Sequence, residues 1–343
     1  MAANRDMVML FKKELELCKV QPGEAIGVLS EDRIRLDYAE AFLAAADELG
    51  ADAMHVNVKK RPGSTFGPGN SLQGHTAAIE ALKSTDMVID LMGLLWSPEQ
   101  TEITRTGTRM LLVVEPFEVL QRMFPSEDAR RRVEAGTRML AGAKTLHITS
   151  PAGTDVTYRM GKYGVAEQYG FTDKAGRWDA WPGTFLYSAA YDDGVDGTVV
   201  INAGDMLLPI MRYVASPITL KIKAGYVTEI VGGGLDGELM RDFMKSFRDP
   251  RAYAVSHIGW GLDANARWNF MGTDPMGMMA AGQDGRAFYG NVLFSTGPNT
   301  ELGGSNDTAC HLDIPLRGCS LTLDDVPVVT DGDIVPEEQR VTR

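Results

Sequence analysis

Glu24-Ala-Ile-Gly-Val-Leu-Ser-Glu-Asp-Arg-Ile-Arg-Leu-Asp-Tyr-Ala-Glu-Ala-Phe-Leu-Ala-Ala-Ala-Asp-Glu-Leu-Gly-Ala-Asp-Ala-Met-His-Val-Asn-Val58 holds three kinds of pattern in sequence. Glu24 to Leu29 is a short apolar run suited to a buried strand. From Leu36 to Leu49 the apolar residues recur at helical spacing, and Gly50 follows as a stop signal. Ala53 to Val58 then alternates as a second strand does. Strand, helix, strand predicts a parallel pair joined by a right-handed crossover. The pattern continues downstream: Thr76 to Leu82 reads as a helix, and Met87 to Leu91 and Met110 to Val114 as strands. Residues 1–142 are therefore expected to form an α/β domain on a parallel sheet, closed by a helix from Ser126 to Leu140. Ser126 is its N-cap, and acidic residues lie in its first turn.

After about Gly142 the pattern changes. Thr145 to Thr149, Asp155 to Met160, Gly197 to Asn202, Ile218 to Ile222, Val227 to Val231, Ala287 to Phe294 and Leu321 to Val329 read as strands separated by glycine-rich turns. One helix, Gly237 to Phe247, interrupts them. Residues 143–343 are thus expected to be an α+β, strand-rich domain.

The composition narrows function. With 343 residues, 44% hydrophobic and 23% charged, the chain has ample material for a core without disulfide staples. A net charge of −12 argues against nucleic acid as a partner, since a phosphate backbone calls for a basic surface. The run Arg130-Arg131-Arg132 lies beside Glu127 and Asp128 and reads as a solvated helix face. No run is apolar enough to span a membrane. Three cysteines, Cys18, Cys310 and Cys319, include no Cys-x-x-Cys pair and fit reduced thiols in a cytoplasm. Gly63 to Gly69 is glycine-rich but opens no helix, so a nucleotide cradle is not expected there.

The histidines carry the chemistry. There are five: His55, His75, His147, His257 and His311. A mononuclear non-haem Fe(II) site needs two neutral imidazoles and one carboxylate, with positions left open for substrate and dioxygen. In His311-Leu312-Asp313, residues two apart on a strand point to one side, so both heads can reach one ion while Leu312 faces the core. On its own this short motif is more readily a surface strand with two polar residues. His257, in Val255-Ser-His-Ile-Gly-Trp-Gly-Leu-Asp263, has an apolar, glycine-rich setting. It is as readily a core histidine as a third ligand. His55 and His75 read as structural, and His147 as a candidate for supporting a ligand.

Three ordered segments resemble the 2,5-dihydroxypyridine 5,6-dioxygenase family, which has the aminopeptidase T-like fold shared with AmpS. They are His257-Ile-Gly-Trp-Gly-Leu262, Gly285-Arg-Ala-Phe-Tyr-Gly-Asn-Val-Leu-Phe-Ser-Thr-Gly-Pro-Asn299 and His311-Leu-Asp-Ile-Pro315. The resemblance implies His257, His311 and Asp313 as ligands of one Fe(II) per subunit, with dioxygen as co-substrate. It implies ring cleavage of a small aromatic N-heterocycle, 2,5-dihydroxypyridine or a close analogue, to an N-formylmaleamate-type product. It also implies that Ser295 contacts the substrate, and that the enzyme is a homo-oligomer with a hexamer as one expected size. Trp96, Trp178 and Trp181 are candidates for an aromatic wall, with Trp96 placed at the substrate.

Two departures refine this expectation. Peptidases of the fold use two metals, one held by a glutamate where this chain has Thr184 in Trp181-Pro-Gly-Thr-Phe185. That disfavours the alternative, a Zn or Co aminopeptidase. The dioxygenases carry a proton-accepting histidine near the segment that here reads Leu94-Leu-Trp-Ser-Pro-Glu-Gln100. Leu95 and Trp96 cannot take a proton, which leaves Glu99, Glu167, Tyr169 and His147 as candidates. A non-enzymatic small-molecule binder is a further reading, and it leaves the histidines and Asp313 unexplained.

Overall fold

The structure is a computed structural model that describes residues 4–60, 67–68, 71–95, 97–208, 210–273 and 282–341. Trp96 and most of Gly63 to Gly69 lie outside the described residues. The chain forms two compact units, Met1–Pro125 with Tyr169–Gly183, and Ser126–Gln168 with Thr184–Arg343.

The first unit is built on a five-stranded sheet. Its order is Trp178–Trp181, Arg109–Val113, Met87–Asp90, Ala25–Glu31 and Asp52–Val58, and every neighbouring pair is parallel. The helices Arg5–Leu17, Leu36–Glu48, Thr76–Lys83 and Pro98–Arg105 accompany it. The central strands are buried along their whole length, as a parallel sheet covered on both faces requires. Trp181 is in the core, edge-on to Phe11 and Phe124, and Trp178 packs against the cluster containing Leu94 and Ile103. Both tryptophans are core residues of this unit.

Among the described residues the second unit holds the two-stranded pair Met206–Leu207 with Arg212–Tyr213 and two large antiparallel sheets. The one that matters for function runs Leu312–Leu316, Val292–Thr296, Val255–Gly261, Phe185–Ala189 and Val165–Gln168. The other has eight strands, from Tyr226–Gly232 at one edge to Asp333–Ile334 at the opposite edge. Strands such as Asp155–Arg159 alternate buried and exposed residues, whereas Val255–Gly261 and Val292–Thr296 are wholly buried.

The boundary expected near 142 lies inside the second unit. Helix Glu127–Gly142 packs on the strands of the five-stranded antiparallel sheet. A methyl group added at Gly136 would sit 2.8 Å from the Leu186 side chain and 3.1 Å from the Trp260 ring. The chain later returns to the first unit, because Trp178–Trp181 pairs in parallel with Arg109–Val113. The strand expected over Ala287 to Phe294 is instead a short helix, Gln283–Ala287, followed by strand Val292–Thr296. The run Leu321 to Val329 is split by a turn at Asp324 and Asp325, both with positive φ.

Candidate metal centre

His257 comes from strand Val255–Gly261, and His311 and Asp313 from the start of strand Leu312–Leu316, and the three converge. Their ligand atoms lie within 4.8 Å of one another, and all three side chains are buried. Among the described residues no other group of three or more His, Cys, Asp or Glu side chains converges in this way. Asp313 Oδ1 lies 3.3 Å from His257 Nε2 and 3.2 Å from His311 Nε2.

His257 owes its position to an irregularity in its strand. Val255 pairs with Thr296 and Ile258 with Phe294, so Ser256 and His257 together face the single residue Ser295. This is a β-bulge, which bends the strand and re-aims a side chain. A bulge also leaves backbone groups outside the ladder. Ser295 satisfies them: its hydroxyl accepts from the His257 N–H at 2.8 Å and donates to the His257 carbonyl at 2.7 Å. Ser295 is fully buried, and its one proton is committed to that carbonyl. The hydroxyl expected at the substrate is thus engaged with the backbone of a candidate ligand. The Tyr187 ring lies 4.5 Å from the His257 ring and packs its other surroundings.

His311 and Asp313 flank the start of strand Leu312–Leu316, with Leu312 fully buried between them. The His311 ring meets the Thr296 carbonyl through Nδ1 at 3.1 Å, which makes Nδ1 the donor and leaves Nε2 as the lone-pair atom facing Asp313. Asp313 is fixed at both ends. Its backbone exchanges hydrogen bonds with Leu208, and Arg286 Nε donates to Oδ2 at 2.6 Å. Oδ1 receives no well-aligned hydrogen bond.

The electrostatics suit a cation. Burial pushes the His257 imidazole below its ordinary range, against the opposing pull of Asp313, so the ring stays neutral and keeps its lone pair. For Asp313 burial alone would raise the carboxyl. His311, Arg286 and His257 together outweigh it and hold the group well below the usual carboxylate range. Two imidazoles and an ionised carboxylate, one of whose oxygens has no proper donor, are a donor set for a divalent metal.

With this geometry described, comparison with known proteins becomes informative. The sequence pattern of the 2,5-dihydroxypyridine 5,6-dioxygenase family matches residues 6–336. The chain belongs to that family. A 2,5-dihydroxypyridine 5,6-dioxygenase of Pseudomonas putida is 44% identical across 98% of this chain and 99% of the relative. The solved structure of 2,5-dihydroxypyridine dioxygenase from Pseudomonas putida superposes with a TM-score of 0.94, at 43% identity, over 99% of this chain and 100% of that one. AmpT from Thermus thermophilus matches with a TM-score of 0.61 at 13% identity, over 97% of this chain and 99% of that one. At that identity the likeness is one of fold, so the aminopeptidase T-like architecture holds without a peptidase activity following from it.

Placed against this dioxygenase family, the other candidates disperse. His147 faces Asp155 at 2.8 Å in the eight-stranded sheet. His55 meets Ser30 at 2.7 Å, and His75 precedes helix Thr76–Lys83. Tyr169 donates its hydroxyl to Asp173, and Glu99 accepts from Ser71. Thr184 is buried with a φ of 86° and so offers no carboxylate for a second metal. Two residues of the site were missed in the sequence. Arg286 stands inside a segment quoted above, but an arginine in a glycine-rich stretch reads as exposed. Glu301 follows Gly297-Pro298 in a turn and has no periodic pattern to mark it.

Ser295 can be tested directly. Ser295→Ala leaves the bulge N–H and carbonyl of His257 without partners, at a cost of about 1–3 kcal/mol. Loosening His257 should also weaken iron binding by about ten-fold. Thermal melting and metal titration check both. A variant that keeps wild-type iron affinity yet loses substrate binding would restore the hydroxyl to the substrate.

Proposed function

We propose that this family member is an Fe(II)-dependent dioxygenase. It opens the ring of 2,5-dihydroxypyridine, or of a close hydroxylated pyridine, to an N-formylmaleamate-type product. His257, His311 and Asp313 hold one Fe(II) per subunit, and dioxygen is the co-substrate. The carrying observation is the convergence of these three buried side chains in a chain 44% identical, over nearly its whole length, to a 2,5-dihydroxypyridine 5,6-dioxygenase.

Bound Fe(II) supplies open positions for a ring oxygen and for dioxygen, and a path for electrons from the ring. The chain supplies the rest. Burial favours the neutral His257 ring, and the Thr296 carbonyl holds the His311 ring through Nδ1 with Nε2 toward Asp313. Arg286 occupies one oxygen of Asp313, so the other is directed at the metal and the carboxylate keeps one orientation. Ser295 acts through the His257 backbone. Trp96 remains our candidate for the substrate wall.

We place the enzyme in the cytoplasm, in keeping with three buried free thiols, and as a homo-oligomer, as the resemblance implies. Among the described residues no helix is long and apolar enough to cross a membrane.

The test is anaerobic reconstitution with Fe(II), followed by oxygen-uptake measurements on dihydroxypyridines, trihydroxypyridines and hydroxylated benzoates. Uptake should require iron and a hydroxylated pyridine. A fully iron-loaded enzyme that consumes no oxygen with any of the pyridines would refute the proposal.

A further inference from the structure

We infer that Glu301 contacts the substrate in this site, its carboxylate accepting a hydrogen bond from a ring N–H or hydroxyl of the hydroxylated pyridine. This rests on the function proposed above and supplies a polar contact that the segment around Leu95 and Trp96 lacks.

Glu301 stands in the short turn Thr300–Leu302. The residue as a whole is half-buried, but both carboxylate oxygens are shut from water and neither has a hydrogen-bond partner beyond the residue's own backbone N–H. Among the described residues no other carboxylate has both oxygens in that state. Glu14 and Glu99 each have one such oxygen, and the other is engaged with Cys18 and Ser71 respectively. An unsatisfied buried carboxylate is costly, so its persistence points to a partner that arrives with the substrate.

Its location identifies the partner. Glu301 interacts electrostatically with both His311 and Asp313. It is not part of the convergent group, whose ligand atoms all lie within 4.8 Å. It therefore feels the charge of the candidate ligands without being one of them. Burial pushes its carboxyl up to about 7, with His311 pulling down and Asp313 pushing up.

The turn is also built to hold this position. The Asn299 side chain donates to Asp192 at 2.9 Å and accepts from the Asn306 N–H at 2.9 Å, closing the neck of the loop. Asp192 further accepts from Ser305 at 3.0 Å and Tyr163 at 2.9 Å. A neck secured by four side-chain donors on one aspartate, Lys162 being the fourth, presents residue 301 in a defined place.

The experiment compares Glu301→Leu and Glu301→Gln with the wild type, each loaded with Fe(II). Iron content, melting temperature and anaerobic binding of 2,5-dihydroxypyridine are read for all three. Glu301→Leu should keep its iron and its melting temperature and bind the pyridine about ten-fold or more weakly. Glu301→Gln, whose amide oxygen still accepts, should recover most of that binding. Glu301→Leu binding within two-fold of wild type would overturn the inference. So would loss of iron from Glu301→Leu, which would make Glu301 a ligand or a structural support. If the iron-loaded wild type itself neither binds nor oxidises any hydroxylated pyridine, the proposed function falls, and this inference with it.

Discussion

His311→Ala or Asp313→Ala strips the protein of iron and lowers oxygen uptake with 2,5-dihydroxypyridine by at least about a hundred-fold. A site with three protein donors cannot lose one and keep its geometry, because no other His, Cys, Asp or Glu among the described residues joins the group. The two variants differ in what they leave behind. His311→Ala releases the Thr296 carbonyl from its ring contact and removes a neighbour of Asp313 and of the His257 ring. Asp313→Ala also removes the partner of Arg286, a largely buried guanidinium, so its melting temperature should fall further than that of His311→Ala. Asp313→Asn separates the two effects, since it keeps an acceptor for Arg286 and loses the charge. Iron analysis, oxygen electrode and circular dichroism give the three readings. Normal turnover with a full iron load in any of these variants would remove that residue from the set.

Gly297→Ala is the second large effect. A methyl group there would lie 2.1 Å from the Cys310 carbonyl oxygen and 3.1 Å from the His311 Cα, and the residue has a φ of +116°. The backbone on both sides must shift, and it is the backbone that delivers His311. We expect a loss of about 3–5 kcal/mol and a melting temperature lower by about 4–7 °C, with iron affinity falling alongside. Gly107→Ala is the control: φ is +97°, but nothing lies within 4 Å of the added methyl, so only the backbone strain of about 1 kcal/mol applies. Equal melting temperatures for the two variants would show that the contact with Cys310 is not what limits position 297.

What the sequence revealed and what it concealed follow one rule: local pattern was readable, long-range register was not. The four strands from Ala25–Glu31 to Arg109–Val113 and the helices Leu36–Glu48 and Thr76–Lys83 could be read from apolar spacing, whereas helix Pro98–Arg105 was not. The fifth strand, Trp178–Trp181, was not. It is four residues long, and its partner Arg109–Val113 lies far back in the chain. His311 and Asp313 could be paired from strand spacing alone, and the three ordered segments brought in His257. The bulge opposite Ser295 could not be foreseen, because it is a property of how two strands align. The resemblance implied a substrate contact for Ser295, and the bulge sets its hydroxyl on the His257 backbone. Arg286 and Glu301 were missed for a related reason. A charged residue in a turn reads as solvated unless the fold that buries it is known.

The central claim is a single Fe(II) held by His257, His311 and Asp313 and used with dioxygen. Anaerobic titration of the metal-free protein with Fe(II), followed by oxygen consumption per ring opened, tests it most directly. The account predicts saturation at one iron per chain and one dioxygen consumed for each pyridine ring cleaved. Saturation at two metals per chain, or turnover that proceeds without oxygen, would contradict it.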